Sequence, residues 1–122
     1  VSDWSSVPRT WEKSGHFFEG KEVGMIVTAK IKVRPEVARE AEERLLHLVE
    51  MAGTEEGILS YVLHRDMKTP GLFFVYEKYR DKAAFQRHSS MAHVQEAFKW
   101  LAPNLAEGPE LTMYEQIAAF QA

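Results

Sequence analysis

The chain has 122 residues, 45% hydrophobic and 27% charged, with a formal net charge of −3 and no cysteine. That length supports one hydrophobic core, and the lack of cysteine removes disulfides, thiolate nucleophiles and thiolate metal sites together. A mildly acidic chain with no basic block is a poor partner for nucleic acid or an anionic membrane, and no run approaches the ~18 apolar residues of a membrane span. With no apolar signal core near residue 1, the expected location is cytoplasmic.

Residues 1–24 are rich in Pro, Gly and Ser and show no lasting periodicity, yet they contain Trp4, Trp11, Phe17 and Phe18. Disordered tails are poor in aromatics, so this arm is expected either to pack on the domain or a partner, or to remain a loose extension. Met25 to Val33 alternates as a strand, with Met25, Val27, Ala29, Ile31 and Val33 on one face and Ile26, Thr28, Lys30 and Lys32 on the other. Arg34-Pro35 ends the strand and opens a helix to about Ala52. Val37, Ala41, Leu45, Leu48 and Ala52 form its apolar stripe, and Glu36, Glu40, Glu42 and Glu43 its wetted side.

Ile58 to Arg65 reads as a second strand. The Asp66–Gly71 turn, with Pro70-Gly71, leads to a third from Leu72 to Tyr79, and the two make a hairpin. Asp81 is placed to cap a helix through about His88, and Ser90 to cap a second segment carrying Met91, Val94, Phe98, Leu101 and Leu105. Pro103 loosens the end of that segment. Gly108-Pro109 breaks the chain before a last strand, Leu111 to Ile117, leaving 118–122 as a tail.

The order β-α-β-β-α-β is the ferredoxin-like arrangement, α+β with an antiparallel sheet whose first and third strands are central. Two helices cover one sheet face only. The other would carry Ile26, Leu72, Phe74 and Tyr76, an apolar surface that a second copy of the chain would cover, making a homodimer.

There is no dinucleotide or phosphate-binding glycine motif, no serine-hydrolase elbow and no H-E-x-x-H. His88 and His93 are five positions apart, roughly 500° around an α-helix, so they do not share a face as a helical metal pair would. No metal ligand set follows from spacing. What remains is an aromatic pocket between sheet and helices. Glu77 and Tyr79, on the face of Phe73 and Val75, would line it with Phe85, His88, Met91 and Phe98. Each has a plainer role open to it: core packing for Phe85, Met91 and Phe98, a rim hydroxyl for Tyr79, an ion pair with Arg65 or Lys78 for Glu77, and a helix-end hydrogen bond for His88.

The segment YEKYRDKAAFQRHSSMAHVQEAF resembles the hallmark region of the antibiotic biosynthesis monooxygenase family, small proteins with a dimeric α+β barrel. An acidic-x-aromatic strand end (Glu77, Tyr79), an alanine-aromatic step (Ala84-Phe85) and two histidines five apart (His88, His93) match in order and spacing. Gly57-x-x-x-Tyr61-x-Leu63-x-Arg65-Asp66, Pro35 and Pro109-Glu110 fit as well, so the resemblance spans residues 24 to 117. It implies oxidation of quinols or polyketide-like aromatics by O2 with no flavin, haem or metal. The protein would then remove a proton, stabilise an oxyanion and exclude water. On that reading His88, Tyr79 and Glu77 are catalytic, and Tyr61, Phe85, Met91, His93 and Phe98 bind substrate.

Tyr79 stands where the family commonly has tryptophan. The haem-degrading branch fits only in outline: its first-strand asparagine is missing, since Asn104 is the chain's one asparagine, and Phe98 lies near the position of its haem-ligating histidine. A non-catalytic small-molecule binder or stress-associated protein on the same fold, and an isomerase of a small metabolite, remain open alternatives.

Overall fold

A computed structural model describes residues 24–122 and the strand His16–Glu19. The expected packing of the aromatic arm, Trp4 and Trp11 included, lies outside the described residues. In chain order the elements are β1 (His16–Glu19), β2 (Met25–Lys32), α1 (Ala38–Ala52), β3 (Ile58–Arg65), β4 (Leu72–Tyr79), α2 (Lys82–Ser90), α3 (Ala92–Leu101), β5 (Glu110–Glu115) and β6 (Ala118–Gln121). Four strands form an antiparallel sheet in the order β3-β4-β2-β5, and the two central strands carry all of the sheet's buried side chains among the described residues. This is the ferredoxin-like α+β fold expected from the element order.

Alternation fixes which residues face the helices. Val27, Ala29 and Ile31 of β2 and Phe73, Val75, Glu77 and Tyr79 of β4 are all buried on that side. Ala29, Ile31, Phe73 and Val75 pack on Ala41, Leu45 and Leu48 of α1 and on Val94, Ala97 and Leu101 of α3, while Val27 and Tyr79 pack on Ala84 of α2. Pro35 starts a single 3-10 turn, Pro35–Val37, before α1 proper, because a ring nitrogen with no N–H is tolerated only in a first turn.

Three details differ from the sequence reading. Ser90 does not cap α3: its Oγ donates to the Arg87 carbonyl at 2.9 Å, and Met91, extended at φ −64° and ψ 143°, separates the two helices. Leu105 lies beyond α3 and bridges to Val33, with Pro103 inside the intervening 3-10 turn. The expected tail contains β6, which pairs antiparallel with β1 as a separate two-stranded sheet.

Two glycines are set by geometry. Gly71 has φ +83°, closing the β3–β4 turn. Gly57, just before β3, lies so close to α2 that a Cβ there would stand 2.4 Å from the Cβ of Ala84. That approach brings the α1–β3 loop, and Glu55 within it, against the end of α2.

The opposite sheet face is only partly covered. Phe74 is 42% exposed, Leu72 and Tyr76 are half-buried, and Val62 and Tyr114 are exposed beside them. Ile26, expected on this open surface, is buried within the chain itself.

Candidate functional site

The sheet and helices enclose a cavity of about 70 Å³. Among its lining residues are Tyr61 of β3, Glu77 of β4, Phe85 and His88 of α2, Phe98 of α3 and Leu111 of β5. Five residues expected from sequence therefore meet there. Phe98 and Leu111 form its rim: they are 37% and 56% exposed, so Phe98 is not core.

Tyr79 does not line this cavity. It is fully buried behind it, stacked edge-on against Phe85 with ring centroids 5.3 Å apart, and its hydroxyl donates to Glu77 Oε1. Its hydroxyl is therefore engaged with the carboxyl of Glu77. Glu77 makes no pair with Arg65, which binds Glu42 of α1 through two contacts of 2.6 and 2.8 Å. Burial pushes the Glu77 carboxyl from 4.5 up to about 7, and the Tyr79 hydrogen bond only partly offsets this. Burial, with the negative charges of Glu77 and Glu55 adding to it, drives the Tyr61 phenol far above its ordinary value. Tyr61 is thus a neutral hydrogen-bond donor throughout the working pH range.

A second cavity, about 580 Å³ and open to solvent, lies on the outer side of α2. Met91 and His93 line this one, not the inner cavity. The wall between the two holds a group that sequence reading missed. Glu55 Oε2 accepts from His88 Nδ1 at 3.0 Å and from His93 Nε2 at 3.1 Å. The three side chains are 8%, 5% and 14% exposed respectively.

Five positions along one continuous helix would keep the two histidines apart. The break at Met91 restarts the helix in a new direction and brings the rings together, centroids 6.4 Å apart. Two imidazole nitrogens and one carboxylate oxygen, donors suited to a metal ion, consequently lie within 4.8 Å of one another.

His88 is held on several sides. Its ring centroid is 5.5 Å from that of Tyr61 and 5.6 Å from that of Tyr79, while Glu55 takes Nδ1. An Nδ1–H donated to a carboxylate leaves Nε2, on the far edge of the ring, as the lone-pair nitrogen. This is the arrangement by which a buried carboxylate sets a catalytic imidazole.

Residues 24–100 match the family described as antibiotic biosynthesis monooxygenase. The chain belongs to that family. The Bacillus subtilis protein YcnE, named as a candidate monooxygenase, is 34% identical over 71 residues, 58% of this chain and 75% of its own. A Caulobacter crescentus structure, named as a candidate antibiotic biosynthesis monooxygenase, superposes with a TM-score of 0.72 at 30% identity. It covers 79% of this chain and 92% of its own. A conserved protein of Methanosarcina mazei gives a TM-score of 0.73 at 25% identity, covering 80% and 96%. Family and relatives support a monooxygenase-like activity. Among the described residues, no helix is long and apolar enough to cross a membrane.

The raised Glu77 value has a signed consequence. The folded protein binds more protons at this group than the unfolded chain between pH 4.5 and about 7, so its contribution to stability falls as pH rises through that window. Glu77→Gln removes the penalty while keeping an acceptor for Tyr79. Denaturant melts should show the variant gaining on wild type by up to about 3 kcal/mol between about pH 5 and about pH 8. Parallel pH profiles would contradict the burial argument.

Proposed function

We propose that the protein is a cofactor-independent monooxygenase that oxidises a quinol-like or polyketide-like aromatic with O2, acting as a homodimer. The observation that carries this reading is His88: an imidazole facing an apolar, aromatic-lined cavity, with Nδ1 fixed by a buried carboxylate. His88 Nε2 takes the phenolic or benzylic proton. Tyr61 donates its hydroxyl hydrogen to the developing oxyanion. Glu77, poised near neutrality and held by Tyr79, is the second acid–base group of the cavity. The electron-rich anion then reacts with O2: a ring or benzylic CH2 becomes C=O, with one oxygen atom entering product and the other leaving as water with the two hydrogens.

A cavity of about 70 Å³ holds about two waters or one O2, whereas an aromatic ring needs roughly 150 Å³. Substrate therefore binds by displacing the half-exposed rim side chains Phe98 and Leu111. Their apolar character favours a hydrophobic substrate over the polar metabolite of an isomerase.

The dimer reading rests on the open sheet face, where Phe74, Tyr76, Val62 and Tyr114 form an apolar surface on the side away from the cavity. A second copy covering it leaves one complete site per chain. Light scattering should give twice the chain mass in wild type. Phe74→Asp should dissociate or unfold the protein, since it would bury an unpaired carboxylate. A stable wild-type monomer at about micromolar concentration would overturn this assembly.

The function is tested by oxygen uptake with a panel of quinols and anthrones. His88→Ala should lower the rate at least about tenfold in protein that circular dichroism shows to be folded at the assay temperature, although losing a partner of the buried Glu55 carboxylate lowers its melting temperature. Equal rates would reject His88 as the base. A wild type that consumes no oxygen with any of them would favour the non-catalytic binder.

A further inference from the structure

The wall between the cavities has a geometry that proton chemistry alone does not require. Glu55 Oε2 lies 3.0 Å from His88 Nδ1 and 3.1 Å from His93 Nε2. A divalent ion bound at about 2.0–2.2 Å by nitrogen and oxygen ligands holds adjacent donors about 3.0–3.5 Å apart. Two edges of the donor triangle already have that length. The third, between the ring nitrogens, is within 4.8 Å, and His93 is the more exposed of the two rings.

We propose that Glu55, His88 and His93 form a site for one divalent transition-metal ion of the zinc, cobalt or nickel class, reached from the outer cavity. Two imidazoles and one carboxylate select this class; magnesium and calcium take all-oxygen shells. The three donors come from three segments, the α1–β3 loop, α2 and the start of α3, and are held by packing before any ion arrives. That preorganisation lowers the cost of binding. The outer cavity, with Glu55 and His93 in its lining, gives access to the ion and room for water in its remaining positions. Arg80 and Arg87 also line it and oppose a cation, but Arg80 is paired with Glu56 at 3.7 Å.

Occupancy has a chemical consequence, which rests on the function proposed above. A metal on Nδ1 uses the lone pair there, so the neutral His88 ring must carry its proton on Nε2. The cavity-facing nitrogen then changes from acceptor to donor. The ion switches the base off.

Chelator-stripped protein should be titrated with zinc by calorimetry and with cobalt by visible absorption. The expected result is one ion per chain, no comparable binding of magnesium, and at least about tenfold weaker binding in both Glu55→Gln and His93→Ala. The exposed His47 is the control, and His47→Ala should bind as wild type does. Circular dichroism confirms that each variant is folded, and Glu55→Gln keeps the side-chain shape if His93→Ala loosens the wall. Wild type that takes up no zinc at about 100 μM, or variants that bind as tightly as wild type, would overturn the site. In the oxygen assay zinc should inhibit wild type. Zinc that binds without inhibiting would overturn the switch and count against His88 as base. Absence of oxygen uptake in stripped wild type would count against the proposed function, not against the metal site.

Discussion

A carboxylate buried between two imidazoles constrains the rest of this structure. An uncompensated charge in such a place costs about 3–5 kcal/mol, so Glu55 must keep both of its partners. Keeping them imposes conditions elsewhere in the chain. The helix after β4 must break at Met91 so that His93 can turn back toward His88. The residue at 57 must have no side chain, because the loop carrying Glu55 passes within van der Waals range of Ala84. The same hydrogen bond that satisfies Glu55 fixes the His88 ring and engages its Nδ1.

The two faces of the sheet divide the labour. The helix-side face carries the core and, at its β3–β4 end, the buried Glu77 with its partner Tyr79 and the partly buried Tyr61. The other face carries exposed Phe74, Val62 and Tyr114 and no buried charge among the described residues. Alternation keeps the two sets apart with period two, so the surface proposed for assembly and the cavity proposed for chemistry share the strand β4 without sharing a side chain.

The sheet was readable because its strands alternate cleanly and their turns carry Pro-Gly and Arg-Pro punctuation. Glu77, Phe85, His88 and Phe98 were also legible, since strand and helix periods place them on the same interlayer surface; Tyr61 was reached only through the family resemblance, and Met91, placed there by the same period, lines the outer cavity instead. Glu55 was not. It sits in a loop among Thr54, Glu56 and Gly57, where no periodicity assigns a direction, and a glutamate beside another glutamate reads as a wetted turn. The meeting of His88 and His93 was hidden for a different reason: Ser89-Ser90 marked a break, but the angle of a break depends on one residue's ψ, and Met91 has no composition that announces it. Tyr79 was placed on the correct face but as lining the cavity, whereas it lies behind it, because period two gives a side and not a depth.

For His88 to act as the base, the Glu55 carboxylate must set it with its proton on Nδ1 and its lone pair toward the cavity. Nitrogen-15 NMR of metal-free, histidine-labelled protein at a pH where His88 is neutral measures this directly. The expected result is the Nδ1–H tautomer for His88, lost or mixed in Glu55→Gln. A wild-type His88 carrying its proton on Nε2 would place a donor where a base is required and would contradict it.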